Sequence, residues 1–515
     1  MPLTAGLGRL GIGRGVVVAG LAVVLALAAA LLPIELAAAA VGGLIALGVI
    51  AVRPAWGLAL LAFSVPYESL RQVPLGGFNA GSTEALVALT GLGWGLHTLA
   101  FRRPIRLPAL GWPVLLLIGF GGLSATVALQ PLLSLKELVK WLELLVVWVV
   151  GQNVLTGRRA GLGLVAALLA AGASEALIGL AQFFLRLGPE AYRFGPFLRA
   201  FGTFSQPNPF GGYLISVLPL ALALTLFGWR AWRAGAGSRA GWLVPGAATV
   251  LVAAALAMTL SRGAWLGFGV AALVVLSLWD PRTLRAIGLL AIVAALVSAA
   301  GIANLLPGSV SDRLANVVQY FGVFDVRTVT PTAANWAIVE RMAHWQSGAD
   351  MFIAHPWTGV GPGNYPAAYP DYQYHRPHFR DPLGHAHNLY LNFLAETGLP
   401  GFAAYTAFVL GALIRTGRQA VAAARTSPPG LLPRGARGET SRLPSFPPSP
   451  RGRGAGGEVF PAAVAAGVFG GLLAMAVHNL FDNLTVHGLT VQVALLLALV
   501  YAQPTPPRTV RRLRS

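Results

Sequence analysis

Four of the chain's nine histidines, His375, His378, His385 and His387, fall in the stretch 375–387 together with Asp381. A neutral imidazole with a pKa of ~6.5 can take a proton from a hydroxyl near neutral pH. General-base activation of a hydroxyl is therefore the chemistry these residues offer first. His387 and Asn388 open the mostly apolar run Leu389–Leu394, followed by Glu396-Thr397-Gly398-Leu399-Pro400-Gly401. The pattern puts His387 in the first turn of a helix, on a rigid element, with His385 in support. One alternative is a set of interfacial histidines without a role. Another is a metal-dependent hydrolase using His375, His378, Asp381 and His385, since imidazole and carboxylate at such spacings can ligate zinc. The His-x-His pair is weak evidence for that, Asp381-Pro382 reads as a turn, and no Asp-x-Asp occurs. The expectation is no metal and no cofactor.

Two arginines stand where a phosphate could meet them. Arg199 lies in the segment Leu198–Phe210, with Asn208 nearby, and Arg262 lies in the short turn Ser261-Arg262-Gly263 between two apolar runs. A guanidinium is always charged, and its planar fork matches phosphate oxygens. The pair would suit a diphosphate headgroup, and Arg193 could serve in place of Arg199. The competing reading is snorkelling toward lipid phosphate. Lys136, Lys140 and Glu143 share a helix face, and Glu137 precedes Lys140 by three residues. They read as an ion pair inside the bundle or as part of a substrate path. Gly359–Asn364 reads as a turn, since it fits no phosphate-loop or dinucleotide pattern. His478 and Asp482, one turn apart, read as a structural pair or as support for another group.

The elements that must position these residues are membrane helices. Hydrophobic residues make up 56% of the chain and charged residues 11%, against about 25% charged in soluble proteins. The apolar residues form about fourteen runs near the ~20 residues needed to cross a bilayer. The chain holds no cysteine, which excludes disulfides, thiolate catalysis and Cys-ligated zinc. A net charge of +19 points toward nucleic acid, but the arginines sit in short loops between apolar runs, so nucleic acid is not expected. Arg102, Arg103, Arg106, Arg158, Arg159, Arg230, Arg233 and Arg239 fall on one side of an alternating topology, which the positive-inside rule makes cytoplasmic, with both termini. Arg199, Arg262 and the histidine stretch then lie outside. The expected organisation is a transmembrane bundle over 1–305 with about eleven spans. An extracytoplasmic loop over 306–388 follows, with interfacial helices that include one at 335–354. A helix at 389–414, a disordered basic insert at 415–458 and the C-terminal spans and basic tail at 459–515 complete the chain.

His387-Asn388, nine residues, Gly398, two residues and Gly401 resemble the His-Asn/Ser/Gln-x9-Gly-x-x-Gly signature of the O-antigen ligase and polysaccharide polymerase family. These are bacterial membrane glycosyltransferases. Arg341, Trp345 and Pro356–Asn364 resemble the family's loop before that histidine. Gly202-Thr203-Phe204 with Asn208, and Ser261-Arg262-Gly263, resemble two earlier motifs. His478 and Asp482 are similar to late family positions. The likeness spans about Arg199 to Asp482, with Ser205-Gln206 and the insert as departures. The resemblance implies an all-α, C-type glycosyltransferase-like bundle with one long, partly helical periplasmic loop. It implies a glycan donor on undecaprenyl diphosphate, a hydroxyl acceptor (lipid, glycan or protein), and inverting transfer without metal at the outer face of the cytoplasmic membrane. By that carry-over Arg199 and Arg262 hold the diphosphate and His387 activates the acceptor. His385, Asn388, Arg341, Asn208, His478 and Asp482 support them. A flippase of lipid-linked saccharides is the alternative outside enzymology.

Overall fold

The computed structural model describes residues 34–70, 72–75, 78–194, 197–283, 285, 287–289, 324–332, 335–375, 378–379, 384–426 and 456–501. The apolar run at 16–32, most of that at 286–305, the insert from 427 to 455, Asp381 and the tail from 502 lie outside the described residues. The regular structure described is helical apart from two small antiparallel hairpins, Gln72–Leu75 with Phe78–Gly81 and Arg193–Phe194 with Phe197–Leu198. Helices dominate because lipid offers backbone N–H and C=O groups no partners, so a spanning segment must satisfy its own.

In chain order the helices are α1 (Ile34–Val52), α2 (Ala55–Tyr67), α3 (Ser82–Phe101), α4 (Gly111–Ser124), α5 (Pro131–Val154), α6 (Arg158–Leu185), α7 (Pro207–Arg233), α8 (Ala240–Met258) and α9 (Arg262–Trp279). They continue as α10 (Trp336–Ala354), α11 (Tyr365–Ala368), α12 (Leu389–Thr426), α13 (Gly456–His478) and α14 (Leu489–Tyr501). Among the described residues six helices are long and apolar enough to cross a membrane, namely α6, α7, α8, α9, α12 and α13. Helix α7 is the axis: 83% of its most apolar stretch is buried, against 28% for α8 and α9. It packs on α8, α9 and α13. Large apolar side chains such as Leu177, Phe184, Val250, Leu410 and Ile414 stay exposed on the outer helices. An outward apolar belt of this kind is the surface lipid requires. This is an all-α polytopic membrane protein.

Two boundaries differ from expectation. Helix α12 continues to Thr426 rather than stopping at 414. Residues 415–426 therefore belong to the helix and not to a disordered insert, because Arg-Thr-Gly-Arg-Gln-Ala-Val-Ala-Ala-Ala-Arg-Thr is rich in good helix formers. Helix α12 also starts at Leu389, so His387 precedes the helix instead of sitting in its first turn. The helix expected at 335–354 is found at Trp336–Ala354.

Candidate active site

At one end of the bundle, the last turn of α13 meets the start of α12. The Leu389 N–H donates to the carbonyls of Asn479 and Asp482, at 2.9 and 3.1 Å. Asn388 caps α12, its Oδ1 accepting the Leu391 N–H at 3.1 Å, as a cap residue does for an otherwise unpaired amide of the first turn. His387 stands just before that cap with φ +52°, a left-handed conformation that is uncommon outside glycine. The Ala386 N–H is held by Asn392 Oδ1 at 3.0 Å, so a side-chain amide of α12 ties down the backbone just before His387.

Asp482 is the hub. His387 Nδ1 lies 3.7 Å from its Oδ1, His385 Nε2 lies 3.8 Å from the same oxygen, and His478 Nε2 lies 4.0 Å from Oδ2. Burial pushes the Asp482 carboxyl up, but the imidazoles of His387, His385 and His478 around it outweigh that and hold the group below the usual carboxylate range. Asp482 is thus an anion with three rings around it, its Oδ1 accepting the Asn483 N–H at 2.9 Å. His385 Nδ1 accepts the His387 N–H at 3.1 Å, so its proton resides on Nε2, facing Asp482. Burial, reinforced by the neighbouring His387, drives the His385 pKa down to about 4, and Asp482 opposes that shift. His385 is therefore neutral at pH 7.

Helix α10 forms the opposing wall. The Trp345 Nε1–H donates to the His387 carbonyl at 3.3 Å. His344 is fully buried, stacks on Tyr369 at 4.6 Å and meets the His387 ring edge-on at 5.8 Å. The Tyr365 hydroxyl donates to the His344 carbonyl at 2.8 Å and accepts from its Nδ1 at 3.1 Å. Burial lowers the His344 pKa to about 3, so it too is uncharged. Arg341, on the same face, is within electrostatic reach of Glu340 and His478.

The glycines behind His387 hold a strap in place. Residues 356–364 cross the first turns of α12, with Val360 N–H on the Ala395 carbonyl, Gly361 N–H on the Glu396 carbonyl and Leu399 N–H on the Pro356 carbonyl. The chain breaks helical geometry at Gly398 (φ +63°, ψ −170°) to admit this strap. A Cβ at Gly398 would lie 2.6 Å from the Trp357 carbonyl carbon, and one at Gly359 would lie 2.3 Å from that of Glu396. Only glycine fits either place. Asn364 closes the strap onto α5, accepting the Gln130 N–H at 2.7 Å and donating to Ser134 Oγ at 3.0 Å.

The two arginine motifs are neighbours. Ala200 N–H donates to the Met258 carbonyl at 2.9 Å, and Arg199 Nε donates to the Thr259 carbonyl at 2.8 Å. Arg199 also donates to Asn208 Oδ1 at 3.1 Å. The loop is pinned by two polar residues of α6: Gln182 accepts the Phe201 and Gly202 N–H groups, and Glu175 accepts the Thr203 N–H and hydroxyl. Arg262, exposed, begins α9. The next residue, Gly263, backs onto His478, where an added Cβ would meet Nδ1 at 3.0 Å. A continuous line thus runs from Arg199 through 258–263 to His478, Asp482 and His387. Arg193 instead pairs with Glu190 at 2.7 Å on the surface.

Residues 247–406 match the family model for O-antigen ligase. This part of the chain is similar to the O-antigen ligase family. A comparison with curated proteins finds no match. The matched stretch holds Arg262, Arg341, His387, Asn388, Gly398 and Gly401, and at the family level it supports O-antigen ligase-like glycan transfer. Arg199, Asn208, His478 and Asp482 lie outside it in sequence, and folding brings them against the matched stretch. His375 and His378 do not join the cluster: His375 Nε2 meets the Val326 carbonyl at 2.5 Å, and His378 packs edge-on against Trp336. The metal set expected as an alternative is therefore not assembled by those residues. Among the described residues the group able to hold a metal is His385, His387 and Asp482, with ligand atoms within 4.8 Å of one another. Sequence reading missed Glu175, Gln182 and His344. Polar residues on apolar or amphipathic helices were the available signal.

Proposed function

We propose that this protein transfers or polymerises a glycan from an undecaprenyl-diphosphate carrier onto an acceptor hydroxyl at the outer face of the cytoplasmic membrane. The observation that carries the reading is the His387–Asp482 pair at 3.7 Å, set beside two linked arginine loops. An ionised carboxylate facing Nδ1 favours the tautomer with the proton there, which leaves the Nε2 lone pair to act as base. His387 Nε2 takes the proton of the acceptor hydroxyl. The acceptor oxygen attacks the anomeric carbon from the face opposite the diphosphate, the bond from that carbon to the phosphate oxygen breaks, and the configuration inverts. The leaving group is undecaprenyl diphosphate, whose growing charge Arg199 and Arg262 stabilise. The acceptor is a lipid, a growing glycan or a protein hydroxyl. His387→Ala should lower transfer by ~10²–10⁴ while the protein still inserts in the membrane. Wild-type rates in that variant would remove the assignment.

A metal-dependent hydrolase is the second reading, favoured by the proximity of His385, His387 and Asp482. The hydrogen bond from the His387 amide opposes it. It occupies the His385 Nδ1 lone pair and leaves a proton on Nε2, so no ring nitrogen of His385 faces Asp482 with a free lone pair. Transfer should therefore persist in chelator. Activity lost in chelator and restored by zinc would favour the metal.

A further inference from the structure

The reaction as proposed does not use the charged face of α5. That face lines a cavity of about 300 Å³ that shares His385 and Asp482 with the histidine cluster. Glu137, Lys140 and Trp141 come from α5, Asn392 and Glu396 from α12, and His487 from the loop before α14. Lys140 is fixed: it pairs with Glu137 at 2.5 Å and donates to the Thr485 carbonyl at 3.0 Å. These bonds take two of the three donors of its ammonium.

The lining argues for one class of ligand. The one lining ammonium, Lys140, is already paired with Glu137, and Asp482 adds a further negative charge, so a diphosphate would meet no net attraction there. Fixed donors and acceptors make the cavity unsuited to a lipid tail, which can satisfy none of them. Its volume is at the small end of the ~300–1,000 Å³ of ligand pockets. A compact, uncharged molecule dense in hydroxyls matches the size and the mixture of donors and acceptors, while Trp141 and Phe393 offer apolar surface for its C–H face. The cavity borders both the base cluster and Gln206 and Pro209, which flank the Arg199 partner Asn208.

We propose that this cavity binds one neutral sugar ring of the glycan substrate, with Glu137, Lys140 and His487 reading its hydroxyls. The proposal rests on the glycan-transfer reading and specifies where that glycan is recognised.

The test is a titration of the full-length protein in lipid nanodiscs with methyl glycosides of glucose, galactose and N-acetylglucosamine, followed by saturation-transfer NMR. Inorganic pyrophosphate is titrated in parallel. At least one glycoside should bind saturably. Lys140→Met, Glu137→Gln and His487→Ala should each weaken it by about tenfold or more, the worth of a lost hydrogen bond to a charged or fixed group. Each variant is read only with wild-type elution and melting behaviour, and the near-isosteric Glu137→Gln guards against misfolding. Pyrophosphate binding should not change in these variants. If no glycoside binds the wild-type protein, or if the variants weaken pyrophosphate instead, the proposal fails. His387→Ala should keep glycoside binding while losing transfer, so failure of the base assignment and failure of the sugar subsite give different results. Competition then identifies the source of the ring. A ring of the donor is displaced by undecaprenyl-diphosphate-linked oligosaccharide but not by undecaprenyl diphosphate. A ring of the acceptor resists both.

Discussion

At the scale of single residues, the site depends on keeping histidines uncharged around one carboxylate. Burial takes His385 from its ordinary 6.5 to about 4 and His344 from 6.5 to about 3. Between those values and 6.5 the unfolded chain binds protons that the folded chain refuses, so stability falls as the pH drops through that window. Melting temperature should therefore decline from about pH 6.5 toward pH 4. The decline should be shallower in His385→Asn, whose amide oxygen can still accept the His387 N–H. An unchanged slope would mean that His385 does not stay neutral. The types and spacing of His387, Arg199 and Arg262 were legible in the sequence because each stands beside an apolar run. The way Asp482 gathers His385, His387 and His478 was not, since these residues meet only when the end of α13 packs on the start of α12.

At the scale of elements, the spacing between His387 and the glycines at 398 and 401 has a mechanical meaning. The first two turns of α12 are trapped between the strap 356–364 on one side and the α13 terminus on the other, and Gly398 provides the break that lets the strap enter. Gly398→Ala would place a Cβ 2.6 Å from the Trp357 backbone in a conformation that L-residues rarely adopt. Strain of that kind costs on the order of 1–3 kcal/mol. The variant should melt at lower temperature and lose transfer, although it alters no polar group. Retention of both properties would show that the strap does not hold His387 in place. The existence of α12 was readable from its apolar run, and a helix at 335–354 was expected where α10 lies. The position of His387 before the helix was not, because the Asn388 cap and the carbonyls of Asn479 and Asp482 fix where α12 begins.

At the scale of the whole molecule, the arginine loops, the α12–α13 junction and the cavity gather at one end of a bundle centred on α7. The positive-inside pattern supports an outer location for that end. The chain has no cysteine, so single introduced thiols report sidedness cleanly. Leu187→Cys, exposed beside the Arg199 loop, should react with a membrane-impermeant maleimide in intact cells, and Arg103→Cys, also exposed, only after lysis. The reverse pattern would invert the topology and move the chemistry to the cytoplasm.

The sequence by itself determined the class of molecule. Long apolar runs admit only helices in lipid, where each segment must satisfy its own backbone, and the few polar groups such a chain carries mark where its chemistry can lie. Only the tertiary structure decided which polar groups meet. Those contacts join segments far apart in the chain, and they depend on close helix packing and on glycine positions where two backbones touch. Local pattern cannot encode such distances. That is why His387 could be read from its motif, while its carboxylate partner, its neutral histidine neighbours and the cavity beside them emerged from the fold.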